Sequence, residues 1–149
     1  MKIVTEQPYL RVNELGKRFI NEEMSNQHTA MSTAIIRNNT NMCCFLILDE
    51  DTVTSLADHV EDDYVYFIFK GVTIHNLRQQ IDEAIAKGNE HMCHFDTIHE
   101  VCEYMGIDEA NLKHTISRYN HAKEIGYDAD FHTNPDYIKP VREESGHIY

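Results

Sequence analysis

The sequence predicts an α+β fold: a single compact domain with an N-terminal β-hairpin, a small mixed sheet and several short helices. Three observations carry that expectation. Apolar runs at 42–48 and 64–69 are strand-sized and rich in Phe, Ile and Val. Most of the second half shows apolar residues at helical spacing, bounded by capping residues and single glycines. The chain has 149 residues, 42% hydrophobic and 26% charged, enough for one domain with a core of its own.

Each element follows in order. Residues 8–13 and 17–20 flank Glu14-Leu15-Gly16, which reads as a hairpin with Gly16 at the position needing φ > 0. A helix is expected from His28 to Arg37, with Met31, Ala34 and Ile35 on one face. The run 42–48 reads as a strand covered on both faces, so Cys43 and Cys44 are expected as small buried side chains. Asp49 can cap a helix carrying Val53, Leu56, Ala57 and Val60. The aromatic run 64–69 reads as a second strand ending at Gly71. Thr73 can cap a helix with Ile74, Leu77, Ile81, Ala84 and Ile85 on one stripe, stopped at Gly88.

Residues 91–95 form a short strand candidate. Thr97 and Glu100 make a capping box before Ile98, Val101, Cys102 and Met105, and Gly106 closes that helix. Asp108 caps a longer one with Leu112, Ile116, Tyr119, Ala122 and Ile125, closed by Gly126. Periodicity then stops, and residues 127–149 read as an extended return segment.

Charge and glycine spacing exclude whole classes of function. Lys plus Arg total 13 against 25 Asp plus Glu, a net charge of -12. Nucleic acid and anionic membrane surfaces both reward clustered cations, so neither is expected as a partner. No apolar run is long enough to span a bilayer, and no signal-peptide pattern opens the chain. A soluble protein, cytoplasmic rather than exported, is expected. The six glycines are so dispersed that no two lie within ten residues of each other. Neither G-x-G-x-x-G nor a Walker A loop can be assembled from them.

Candidate chemistry is sparse. His91, His94, His99 and Cys102 form the densest set of metal-ligating types, yet a strand would send His91 and His94 to opposite faces. Solvated histidines beside a core cysteine are the plainer reading, and no metal ligand is assigned. No nucleophile elbow is present, and the carboxylate pairs at 22–23, 49–51, 61–63 and 143–144 read as caps or solvated faces. The four cysteines contain no C-x-x-C pair and are expected as reduced structural thiols.

One stretch carries a more specific signal. Residues 8–23 read Pro-Tyr-Leu-Arg-Val-Asn-Glu-Leu-Gly-Lys-Arg-Phe-Ile-Asn-Glu-Glu. This resembles the Leu-x-Val-Asn-x-x-Gly-Lys-Arg-Phe-x-Asn-Glu run of fumarate reductase and succinate dehydrogenase type flavoproteins, at the entry to their capping domain. Further stretches agree in order: the apolar run ending at Asp49, Gly106-Ile107-Asp108, Arg118-Tyr119-Asn120, and Asp128-Ala129-Asp130-Phe131. The segments 137–141 and 146–149 resemble the family's return toward its FAD domain.

The resemblance spans residues 1–149 and only the capping domain. It implies a domain excised from a longer FAD-dependent oxidoreductase, inert alone and binding no cofactor itself. Its partners would be the parent's FAD-binding domain and a small unsaturated carboxylate. In that family the cap closes over flavin and substrate, hydride passes to an activated alkene, and a cap Arg commonly delivers the proton. Counting without gaps places Asn26 where that Arg is expected, followed by Gln27. An amide is no proton donor at neutral pH. Two other donors are candidates: His28, because imidazoles ordinarily titrate near neutrality, and Arg37, which needs an insertion to come into register. Their plainer readings are surface residues at the two ends of one helix. Asn13, Gly16, Arg18, Asn21 and Glu22 are expected to shape the domain entry rather than act in catalysis. A freestanding acidic metal-binding or protein-interaction module is the competing expectation.

Overall fold

The computed structural model describes residues 2–58 and 74–149. The expected strand at 64–69, the Thr73 cap, Val60 and the acidic run 61–63 lie outside the described residues. The fold is mixed α and β, in the order α1 (Lys2–Thr5), β1 (Arg11–Val12), α2 (His28–Asn38), β2 (Phe45–Leu46), α3 (Glu50–Asp58), α4 (Leu77–Ala86), α5 (Ile98–Met105) and α6 (Glu109–Ile125). Short 3-10 turns at Glu22–Asn26, Pro135–Tyr137 and Glu143–Ser145 complete it.

The reversal at Glu14–Gly16 forms as expected. Gly16 sits at φ +72, its N–H donates to the Asn13 carbonyl at 2.9 Å, and the Asn13 N–H donates to the Lys17 carbonyl at 2.9 Å. The ladder does not continue along residues 17–20. Instead β1 runs antiparallel to β2, with Arg11 opposite Leu46 and Val12 opposite Phe45. The reason is burial: Leu10 and Val12 need an apolar neighbour, and residues 45–48 supply one where Lys17 and Arg18 do not.

The expected long strand at 42–48 shrinks to two residues, and the chain upstream of it is surface. Met42 is exposed at φ +52, and Cys43 is exposed rather than buried. Cys44 is half-buried. From Phe45 onward coverage on both faces is real. Phe45 and Ile47 pack into one hydrophobic cluster, Leu46 and Leu48 into another, as the alternation of a strand requires. The first cluster joins this strand to α5, α6 and the return residues Ile138, Val141 and Ile148. The second is built on α3 and α4, through Val53, Leu56, Leu77 and Ile81.

The return segment does more than run back. Leu48 and Tyr149 exchange both backbone hydrogen bonds at 2.8 and 3.0 Å, and Phe95 and Ile148 exchange theirs at 2.9 and 2.8 Å. Residues 91–95 therefore contribute one bridging residue, Phe95, rather than a strand. Among the described residues all sheet pairing is antiparallel, so the mixed character expected of the sheet is not seen there.

The helix caps follow the sequence closely. Asp49, fully buried, accepts the Thr52 N–H at 2.9 Å, and Asp108 accepts the Asn111 N–H at 2.8 Å. α4 begins later than expected, at Leu77, because Asn76 takes a left-handed conformation there. Thr97 and Glu100 form the reciprocal capping box, and Gly106 closes α5 in the left-handed region. Replacing Thr97 with alanine is expected to cost about 1 kcal/mol in a urea melt, the usual loss for an exposed N-cap. A loss below about 0.3 kcal/mol would mean that packing of Ile98 and Val101 alone sets the start of α5.

Candidate functional site

The motif at 8–23 folds into a scaffold whose centre is the Arg18 guanidinium. Arg18 bonds Glu22 through two contacts, Nε to Oε1 at 2.8 Å and Nη2 to Oε2 at 2.6 Å. It bonds Asp128, 110 positions along the chain, through Nη1 to Oδ1 at 3.1 Å and Nη2 to Oδ2 at 2.8 Å. Thr133 closes the network, its hydroxyl donating to Glu22 Oε2 at 2.9 Å and lying 3.2 Å from Arg18 Nη2. All four residues are buried. The guanidinium also lies 4.8 Å from the Phe131 ring centre and 5.1 Å from that of Tyr119.

Two acids share one cation in the interior, and backbone N–H groups add to the support of Asp128. Asp128 accepts the N–H groups of Thr133 and Asp130, each at 3.1 Å. Burial alone would raise the Asp128 carboxyl, but Arg18 and those N–H groups win and hold it at about 2. Arg18 is correspondingly held as a permanent cation: burial opposes its charge, and the bonds to Glu22 and Asp128 outweigh it. Burial pushes the Tyr119 phenol well above its ordinary range. Groups fixed so far from neutrality position neighbours; they do not exchange protons with a substrate near pH 7.

What the network positions is the chain's passage into α2. Asn21 donates to the Phe131 carbonyl at 3.0 Å and accepts the Glu23 N–H at 2.9 Å. Glu23 accepts the Asn134 N–H at 2.5 Å. Ser25 donates to the Glu6 carbonyl at 2.7 Å. The buried Arg11 guanidinium gathers the carbonyls of Thr5, Gln7 and Tyr9 behind it. The 3-10 turn at Glu22–Asn26, which leads into α2, is thereby tied to both ends of the fold.

The candidate residues fall on this edge. Asn26 ends the 3-10 turn and is half-buried. His28 is the first residue of α2 and Arg37 lies in its last turn, both exposed. They stand nine positions apart, about 13.5 Å along the helix axis, so the structure does not bring them together. No residue of α2 is fully buried; only Ala30, Met31, Ala34 and Ile35 are half-covered. The same stretch leaves Leu15, Met24, Ile36 and Met42 exposed, Ile36 by 62% and Met42 by 70%. Met24 lies before the start of α2, whereas Ile36 and Met42 lie at and beyond its far end, where the turn carrying Leu15 is bonded to Asn38 and Thr40.

The four metal-ligating types disperse. His99 pairs with Glu109 at 2.7 Å, which raises its pKa, while His94 packs edge-on against His147 with ring centres 4.6 Å apart. Cys102 is in the core. Among the described residues no three His, Cys, Asp or Glu side chains gather as a metal ion requires. All four cysteines are free thiols. No helix among the described residues is long and apolar enough to cross a membrane. Sequence reasoning marked Arg18, Glu22 and Asp128 only as parts of motifs, and it missed Thr133 altogether. The available signal was charge: two acids and one Arg in otherwise apolar or turn-forming motifs must either face water or face each other.

The fold is that of a fumarate reductase flavoprotein fragment. The solution structure of the fumarate reductase flavoprotein subunit from Lactobacillus plantarum superposes on 100% of this chain and 86% of its own, with TM-score 0.65 and 21% identity. The open conformation of a flavocytochrome c3 fumarate reductase matches 99% of this chain but 21% of its own, with TM-score 0.60 and 19% identity. Two curated relatives are more particular. The chain is 26% identical over 141 residues to the vinyl phenol reductase of Lactiplantibacillus plantarum, covering 93% of this chain and 28% of that protein. It is 26% identical over 137 residues to the NADH:acrylate oxidoreductase of Vibrio harveyi, covering 92% of this chain and 11% of that one. No protein-family model matches the chain. The resemblance carried by the motif at 8–23 thus holds across the whole chain, and the chain spans about a quarter or less of the relatives it matches.

Proposed function

We propose that this chain is the substrate-capping piece of an FAD-dependent reductase of activated alkenes, acting as part of a longer protein. One observation carries the reading: the Arg18–Glu22–Asp128–Thr133 network fixes the turn that leads into α2, while exposed apolar side chains flank that helix at both ends. A mobile cap needs that combination. Its contact edge must be rigid in itself and apolar enough to exclude water on closure. The relatives support the reaction class, since one is named a vinyl phenol reductase and the other an NADH:acrylate oxidoreductase.

The residues of this chain do not suit the flavin itself. With its glycines dispersed, it offers no Gly-rich phosphate loop, so the cofactor belongs to the rest of the parent protein. The share assigned to this chain is to close the site, exclude water and supply a proton donor. With an amide at position 26, His28 is the donor candidate best placed at the anchored end of α2. Arg37, at the far end, serves better as a surface charge or a clamp for a substrate carboxylate.

The test is made on the parent flavoprotein, assayed with a reduced viologen dye and an unsaturated acid. His28→Gln is expected to lower kcat by about 10²-fold or more, the usual loss of a general acid, with KM little changed. Asn26→Ala is expected to change kcat less than about threefold. A parent protein without bound flavin sinks the proposal as a whole. A His28→Gln variant with undiminished kcat sinks the donor assignment alone.

A further inference from the structure

A cavity of about 390 Å³ opens at the seam of the two hydrophobic clusters, away from the apolar edge around α2. None of its described lining residues belongs to 13–42. Phe45 and Met105 reach it from the first cluster, Met92 and Tyr149 from the second, and the half-buried thiols of Cys44 and Cys93 complete the wall. Its volume falls within the range of roughly 300–1,000 Å³ common to small-molecule sites.

The lining selects its occupant by charge and polarizability. Among the described lining residues there is no Asp, Glu, Lys or Arg. Burial pushes both thiols up, and burial followed by the bond to Glu50 does the same to the Tyr149 phenol, as expected of a dry wall. A carboxylate entering here would lose its hydration, and the cationic groups near it are the exposed His91 at the rim and Arg11, whose guanidinium is already engaged by the carbonyls of Thr5, Gln7 and Tyr9. Four sulfur atoms and two aromatic rings favour a flat, polarizable molecule, because thioethers and thiols make their best contacts with aromatic rings. The Tyr149 hydroxyl is already engaged, donating to Glu50 at 2.6 Å.

We propose that this cavity binds an uncharged monocyclic aromatic molecule, at a site apart from α2 and the turns that flank it. The proposal does not depend on the capping role, since it concerns a pocket lined by residues of this chain. It would stand if that role failed, and fall without affecting it.

Toluene serves as the probe and benzoate as its charged counterpart, both added to this 149-residue chain. The methyl NMR signals of Met92 and Met105 are expected to shift saturably with toluene and to stay in place with benzoate. At ten times its Kd, toluene leaves about one cavity in eleven open, so iodoacetamide should alkylate Cys44 and Cys93 roughly tenfold more slowly. Exposed Cys43 reacts at an unchanged rate and serves as the internal control. Cys93→Phe, which fills the cavity from its wall, abolishes the methyl shifts; Cys44→Leu provides the same readout if the first variant does not fold. Unshifted methyl signals up to the solubility limit of toluene overturn the proposal. So do equal shifts with benzoate, equal slowing of all three thiols, or unchanged toluene shifts in the filled variant.

Discussion

Replacing Arg18 with methionine is expected to destabilise the chain by about 3–5 kcal/mol, the cost of leaving buried acids without their cation. Glu22 and Asp128 are both essentially inaccessible, at 0% and 2%, so neither can turn to water once Arg18 is gone. In a domain of this size that loss lowers Tm by on the order of 10 °C. A methionine retains much of the aliphatic packing near Tyr119 and Phe131, so the effect isolates the guanidinium. The pH dependence has a definite sign. Asp128 is held at about 2 against an ordinary value of 3.8, so its contribution is full above about 4 and fades as pH falls through about 2. In the Arg18→Met chain that depression is lost, and acid unfolding begins at higher pH. Urea melts at pH 7 and pH 3 measure both effects. A loss under about 1 kcal/mol at pH 7 would show that water reaches the network and pairs it as well as Arg18 does.

Gly16→Ala is the second large effect, expected at about 2–4 kcal/mol, from backbone strain and collision together. Gly16 has φ +72, and a Cβ added there would stand 2.7 Å from Ile107 Cγ2 and 3.1 Å from the Leu112 backbone N. The backbone of α6 cannot retreat easily, since Leu112 is fully buried and Thr115 donates to the Gly16 carbonyl at 2.7 Å. Gly106→Ala is the control. It has a similar φ of +67 but nothing within 4 Å of the added carbon, so it should cost only about 1 kcal/mol of strain. Equal losses at the two positions in thermal melts would show that φ alone matters and that the turn does not pack on α6.

The helices were legible because their signals are local. Asp49, Thr97, Asp108, Gly106 and Gly126 act on backbone groups a few residues away, and each does what its type and position imply. Strands were less legible because their length depends on partners remote in sequence. The apolar run 42–48 looks like one long strand, but only Phe45 onward finds neighbours, and the pairing of Leu48 with Tyr149 spans about two-thirds of the chain. β1 shows the same limit: the turn at Gly16 was readable, while the choice of β2 as partner was made by burial of Leu10 and Val12.

The candidate site was half legible. Asn26, His28 and Arg37 could be placed on a helix and its approach from periodicity alone. That Arg18, Glu22, Asp128 and Thr133 form one buried network could not, because nothing local records which acid 110 residues away will meet which base. Arg18, Asn21 and Glu22 hold the turn that leads into α2, while Asn13 bonds the far end of that helix and Gly16 packs on α6.

Amide hydrogen exchange of α2, compared between this chain alone and the parent flavoprotein, tests the capping proposal most directly. If the apolar edge of Leu15, Met24, Ile36 and Met42 closes on a flavin-bearing partner domain, the amides of 28–38 should exchange at least about tenfold more slowly in the parent. Those at the centre of α6, already buried in both, should not change. Equal exchange of α2 in the two forms would contradict the closure and leave the anchored turn before α2 without the function assigned to it.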